Sequence, residues 1–172
     1  MTVYFTSDTH FGHNNIIKYD KRPFIDIEYM TKEMIGRWNS TVSPNDIVYH
    51  LGDFSFYGPN RTEEIFYSLN GNKHLVRGNH DNTRTCNLPW ASVNRYLEVS
   101  LSGVLCCLMH FPIESWNKMS HGSLMLHGHS HGKLKRKEVN RFDVGCMLYN
   151  YRPTPINYFL DRQVNNKRPE KR

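Results

Sequence analysis

The chain has 172 residues, 38% of them hydrophobic, 22% charged and 13% aromatic, a length and balance that predict one compact domain and argue against a repeat array, a multidomain assembly or a disordered chain. Twenty-two Lys and Arg against 16 Asp and Glu give a net charge of +6, which favours anionic partners only weakly, because such a surplus also keeps proteins soluble and apart. The longest apolar run, Val104–Met109, is far shorter than the roughly 20 residues that cross a bilayer, and the N-terminus has no signal-peptide core, so a soluble, unexported protein with no membrane partner is expected.

Residues 2–7 are β-branched and aromatic and predict a buried strand that runs into Asp8-Thr9-His10. From Asp26, Ile27, Met30, Met34, Ile35 and Trp38 recur at helical spacing, with Asp26 set to cap the helix. Residues 46–51 form a second predicted strand, ending in Gly52-Asp53. After a shorter helix over 61–69, residues 73–77 form a third, ending in Gly78-Asn79-His80-Asp81. Strands alternating with helices imply βαβ units whose working residues collect beyond the strands' carboxyl ends. The second half carries short strand candidates at 96–100, 104–109, 123–126, 142–144 and 156–160, so the expected fold is an α/β layered β-sandwich of two mixed sheets flanked by helices. It is read as one domain over 1–164 with a basic, frayed tail over 165–172. Four cysteines, Cys86, Cys106, Cys107 and Cys146, make no C-x-x-C pair and fit a reducing cytoplasm.

Ten histidines are the unusual count. At predicted strand ends stand Asp8, His10, Asp53, Asn79, His80, His110, His129 and His131, a nitrogen and oxygen donor set without thiolate. Such a set suits Mn²⁺, Fe²⁺ or Zn²⁺ better than Ca²⁺ or Mg²⁺, and points to an open catalytic site rather than a closed structural one. There are too many groups for one ion; two ions about 3.5 to 4 Å apart, bridged by a carboxylate, would use them all and suit phosphoryl hydrolysis.

The ordered series Asp8-x-His10, Gly52-Asp53, Gly78-Asn79-His80-Asp81, His110 and Gly128-His129-Ser130-His131 resembles the motif series of the calcineurin-like metallophosphoesterases, most closely their small, cap-less bacterial and phage members. It spans residues 7–131. The resemblance implies that Asp8, His10, Asp53 and His131 hold one metal, that Asp53, Asn79, His110 and His129 hold the second, and that Asp53 bridges them. It also implies that His80 contacts the scissile phosphate and that Asp81 orients His80. The implied cofactor is two divalent ions, manganese first, with Fe²⁺, Zn²⁺ or Ni²⁺ as alternatives. The implied reaction is direct attack of a metal-bridging hydroxide on a phosphodiester or nucleotide-type phosphoester. A nuclease acting on DNA or RNA and a non-catalytic protein-binding scaffold are the rival readings. The location implied is the cytoplasm, that of the host if the chain is phage-encoded. One departure is the run Phe54-Ser55-Phe56-Tyr57 after the Gly-Asp pair, where many members carry a second polar residue; it makes the mouth of the site more aromatic.

Blander readings apply elsewhere. His50, His74 and His127 read as satisfied core histidines. His13 either touches substrate or is a solvated loop residue, and Arg77 either reaches a phosphate or pairs with an acid. Lys133, Lys135, Arg136, Lys137 and Arg141 read first as a solvated hairpin edge and second as a phosphate grip. Tyr149, Asn150 and Tyr151 read as packing rather than pocket. Oligomeric state is not legible in the sequence.

Overall fold

The computed structural model describes residues 1–135 and 138–163. In chain order the elements are β1 (Val3–Thr6), α1 (Ile16–Tyr19), α2 (Ile27–Asn39), β2 (Ile47–His50), α3 (Pro59–Ser68), β3 (Asn72–Val76), α4 (Thr83–Cys86), β4 (Ser92–Asn94), β5 (Tyr96–Leu101), β6 (Val104–Met109), β7 (Leu124–His127), β8 (Arg141–Asp143), β9 (Thr154–Pro155) and α5 (Ile156–Leu160). One sheet runs β4-β3-β2-β1-β9 and the other β5-β6-β7-β8. Each is parallel except at one edge, where β9 pairs antiparallel with β1 and β5 with β6. This is the expected sandwich of two mixed sheets.

Strand periodicity builds the layers, since successive side chains point to opposite faces. In β1, Phe5 enters the core between the sheets while Tyr4 packs on the helix side; in β2, Tyr49 and Val48 divide the same way, and in β3, Val76 and Leu75 do so. The inter-sheet core is completed by Cys106, Leu108, Leu124 and Leu126. The outer core joins the first sheet to α2 and α3 through Met30, Met34, Trp38, Ile65 and Phe66. On the far side of the second sheet Cys107 and Met125 pack against Trp116. Helix α2 begins as its sequence predicts: the Asp26 carboxylate accepts from the Tyr29 amide at 2.7 Å, satisfying one of the orphan N–H groups of the first turn.

Residues 156–160 are not a strand. Pro155 precedes them, and Ile156 and Phe159 are buried three apart on the inner side of a short helix, so the i, i+3 spacing prevails over the strand-like composition. The short elements α1, α4 and β4 carry too few residues for a periodic signal and went unpredicted. Among the described residues no helix is long and apolar enough to cross a membrane. Arg136, Lys137 and the tail 165–172 lie outside the described residues.

Candidate metal centre

The sheets meet at one end of the sandwich, and there the loops after β1, β2, β3, β6 and β7 bring their polar residues together. Asp8, His10, Asp53, His129 and His131 all have positive φ, between 49° and 66°. Left-handed backbone costs about 1–2 kcal/mol per non-glycine residue, and although Lys21, Ser102, Lys118, Asn140, Asn150 and Tyr151 also adopt it, five such residues in loops that converge here point to a geometry that the surrounding structure enforces. Close backbone approach enforces part of it. Gly52 sits at φ +92°, and a β-carbon there would collide with the Gly78 backbone and lie 2.7 Å from His110 Nδ1.

Two groups of donors converge. The ligand atoms of Asp8, His10 and His131 lie within 4.8 Å of one another, as do those of Asp8, Asp53 and His110. His10 Nε2 is 3.3 Å from His131 Nε2 and 3.8 Å from both Asp8 Oδ1 and Asp53 Oδ2. His131 Nε2 is 3.4 Å from Asp8 Oδ1, and His110 Nε2 is 3.5 Å from Asp53 Oδ2. Two donors each about 2.1 Å from a divalent cation stand about 3.0–3.4 Å apart at octahedral or tetrahedral angles. The separations and the thiolate-free donor set therefore fit divalent cations. Asp8 belongs to both groups, and Asp53 Oδ2 faces both His10 and His110, so either carboxylate stands between the two positions.

The other residues singled out in the sequence fall as follows. Asn79 Oδ1 lies 3.1 Å from His110 Nε2, within the second group. His129 contributes its backbone N–H to both Asp8 carboxylate oxygens, at 3.2 and 3.1 Å; its ring centre is 5.2 Å from that of His110, and it joins neither converging group. His80, about half exposed, hangs over the centre with Nε2 4.0 Å from Asp53 Oδ2. Asp81 is buried and does not meet the His80 ring. Its carboxylate accepts from the amides of Asp53, Phe54 and Gly78 at 2.9, 2.9 and 2.8 Å, because the turn after β3 aims it inward at the neighbouring loop. His13 packs its ring 4.5 Å from Phe56, which in turn lies 5.0 Å from His80. Arg77 Nε donates to the Asp81 carbonyl at 3.0 Å.

The tautomers of His110 and His131 are fixed from behind, as is usual for ligating imidazoles. His110 Nδ1 donates to the Leu51 carbonyl at 2.6 Å, leaving Nε2 with its lone pair toward Asp53. His131 Nδ1 meets Asp20 Oδ2 at 2.5 Å. Asp20 also accepts from Lys133 at 3.1 Å and pairs with Arg22 at 3.4 Å. The buried Arg22 guanidinium donates to the carbonyls of Asp8 and Thr9 at 2.8 and 2.9 Å. Nothing local marks Asp20 and Arg22 in the sequence, since Asp20 and His131 are 111 positions apart.

The electrostatics are those of donors pressed together. Burial holds the His10 pKa down to about 3, keeping its lone pair free. Burial also works against the charge on Asp8, but the hydrogen bonds and charge of His131, helped by Ser7, prevail and lower it to about 2. Burial raises Asp53. Burial lowers His131, yet Asp20 and Asp8 outweigh it and lift it to about 9.

The basic run is partly engaged: Lys133 holds Asp20, and Arg141 donates to the Ile113 carbonyl at 3.0 Å. His50 is buried and bonded to Thr9 Oγ1 and the Gly52 amide. His74 bonds Ser92 Oγ, and His127 the Gly128 carbonyl. Tyr151 is buried beside Phe24, 4.7 Å between ring centres, and Tyr149 packs in the inter-sheet core with its hydroxyl on the Asp143 carbonyl. Asn150 accepts from Arg37.

Known proteins share this framework. An uncharacterized protein of Methanocaldococcus jannaschii is 34% identical over 169 residues, covering 92% of this chain and 89% of its own. The gene 66 protein of Mycobacterium phage D29 is 29% identical over 166 residues, covering 80% and 82%. A solved structure of a protein of unknown function from Aquifex aeolicus superposes with a TM-score of 0.73 over 93% of this chain and 98% of that one, at 22% identity, a likeness of fold. The family model described as calcineurin-like phosphoesterase matches residues 1–169, nearly the whole chain, and the chain therefore belongs to the calcineurin-like phosphoesterase family.

Proposed function

We propose that this protein hydrolyses a phosphodiester or nucleotide-type phosphoester with two divalent cations. The observation that carries the reading is the pair of converging donor groups sharing Asp8 beneath the exposed imidazole of His80. Asp8, His10, His131 and Asp53 would hold one cation; Asp53, Asn79, His110 and His129 would hold the other. Manganese is the first choice among Mn²⁺, Fe²⁺, Zn²⁺ and Ni²⁺. When bound, such cations neutralise phosphoryl charge and lower the pKa of water toward 7, so no serine or cysteine nucleophile is needed.

The chain's own residues then divide the work. His80 stands over Asp53 with its ring half open to solvent, where it can stabilise phosphoryl charge and deliver a proton to the departing oxygen, a role worth ~10² to 10⁴ in rate. Asp81 acts on His80 at one remove: its bonds from the Asp53 and Phe54 amides tie the loop that carries His80 to the loop that carries Asp53, and its bond from the Gly78 amide braces the turn itself. His13 and Phe56 form an aromatic wall at the mouth, and Phe56 is 41% exposed. An open mouth of this kind supports extended diesters over small monoesters gripped in a closed pocket. The setting that goes with this reading is a reducing cytoplasm, the host's if the chain is phage-encoded, in which buried Cys106, Cys107 and Cys146 remain thiols.

Manganese-reconstituted protein assayed on bis-p-nitrophenyl phosphate and on p-nitrophenyl phosphate tests the proposal. Faster turnover of the diester is expected. Preference for the monoester would reverse the substrate assignment, and inertness toward both, with metal bound, would favour the scaffold reading.

A further inference from the structure

Beside the second donor group lies a cavity of about 330 Å³ lined by Arg77, Gly78, Asn79, Arg95, Met109 and Phe111. It is contiguous with the metal centre. Asn79, whose carboxamide oxygen is 3.1 Å from His110 Nε2, forms one wall, and the Phe111 ring, 4.7 Å from that of His129, forms another. Two cations and no carboxylate line it. Strand register explains how they meet: β3 and β4 are parallel neighbours with Val76 opposite Asn94, and the Arg77 amide continues the ladder to the Asn94 carbonyl at 2.8 Å. Arg77 and Arg95 therefore leave adjacent strands at the same level.

Like charges side by side on paired strands are unfavourable, and among the described residues no carboxylate forms an ion pair with either guanidinium. Arg77 uses only Nε, on the Asp81 carbonyl, which leaves its two terminal nitrogens for another acceptor. Among the described residues no hydrogen bond or ion pair engages the Arg95 guanidinium. Five N–H donors in a planar fork match a phosphate, and two such forks at the edge of a phosphoesterase centre match a phosphate next to the scissile one.

We propose that Arg77 and Arg95 form a subsite for a second phosphate, so that the preferred substrates are nucleotide esters carrying two phosphates, with Phe111 offering a ring face to the nucleoside between them. The proposal rests on the phosphoesterase reading and sharpens its substrate class. Thymidine 5′-(p-nitrophenyl phosphate) and its 3′-phosphorylated counterpart differ only in the second phosphate and release the same chromophore. Wild-type protein with Mn²⁺ is expected to show a KM for the 3′-phosphorylated ester lower by on the order of 10-fold, the size of one or two charge-assisted hydrogen bonds. Arg95→Gln should bring the ratio of the two KM values near one, and Arg95→Lys should restore part of it.

Calorimetry on the metal-free protein gives a readout apart from turnover: thymidine 3′,5′-bisphosphate should bind more tightly than thymidine 5′-monophosphate, and Arg95→Gln should erase the difference. A p-nitrophenyl-capped oligothymidylate with a still lower KM would assign the second phosphate to a nucleic-acid strand, whereas no further gain would assign it to a free nucleotide. Equal KM values for the two thymidine esters in an active protein would overturn the subsite while leaving the phosphoesterase reading intact. Inertness toward both esters would instead count against that reading, and calorimetry would then judge the subsite by itself.

Discussion

The two halves of the metal centre are built on opposite plans. The deep half, Asp8, His10 and His131, is closed in by Ser7, Asp20 and Arg22: Ser7 Oγ donates to Asp8 at 2.5 Å, and Asp20 grips His131 from behind. Arg22 clamps the backbone of the loop between them. The outer half has His110 as its buried anchor, but Asn79 and His80 are exposed and His129 leaves its ring outside the converging donors. Under the proposed function, rigid support at one position and freedom at the other would separate two tasks, since a cation must be retained while substrate enters and leaves and the His80 ring adjusts to it. Removing Asp53, which faces both halves, should erase the contrast. Asp53→Ala is expected to lose both cations by elemental analysis and turnover by more than about 10⁴-fold, because the metal chemistry is lost with them. An Asp53→Ala protein that keeps one equivalent of metal would show that Asp8 alone holds the halves together.

His80→Ala tests the outer half alone. Turnover should fall by ~10² to 10⁴ while metal content stays at the wild-type level, because the ring is 4.0 Å from Asp53 and joins neither donor group. A fall in metal content to match would make His80 a ligand and dissolve the distinction. The deep half is tested by Asp20→Asn, which keeps the side chain's shape and removes the charge behind His131. Loss of such a partner typically costs 10–100-fold in metal affinity. A manganese titration should show that loss, with turnover largely recovered at saturating metal; unchanged affinity would mean that Asp20 does not support the site.

The candidate donors were the legible part. Asp8, His10, Asp53, Asn79, His110 and His131 stand within four residues of the ends of β1, β2, β3, β6 and β7, and in a parallel sheet that position is also where side chains converge, so a one-dimensional pattern carries three-dimensional information. What lies behind them was not legible. Asp20 and Arg22 work across the fold, and neither adjoins a strand end. The surroundings of Asp81 were not legible either: the resemblance implies that it orients its neighbour His80, and its carboxylate is engaged by the Asp53, Phe54 and Gly78 amides rather than by the His80 ring. Residues 156–160 differ from expectation at the same scale, since four apolar or aromatic residues around Asn157 satisfy strand composition and helix spacing alike, and only the burial of Ile156 with Phe159 decides between them.

The smallest expected effect concerns a residue that supports the deep half without touching a donor. His50 is buried among Trp38, Phe54 and Trp90, with one nitrogen facing Thr9 Oγ1 and the other accepting from the Gly52 amide at 3.2 Å. Burial holds its pKa down to about 4, against 6.5 for an ordinary histidine. Above pH 6.5 the ring is neutral in the folded and unfolded chains alike and stability is indifferent to it. Between 6.5 and 4 the unfolded chain binds a proton that the folded chain refuses. Stability should therefore fall as the pH falls, by up to about 1.4 kcal/mol per pH unit, and level off below 4, where both states are protonated. Denaturant midpoints measured at pH 7, 6, 5 and 4 on His50→Gln, which keeps polar atoms at the site but cannot titrate, should show a slope shallower by this amount. An unchanged slope would mean that the acid sensitivity resides in other groups and that His50 charges in the fold without cost.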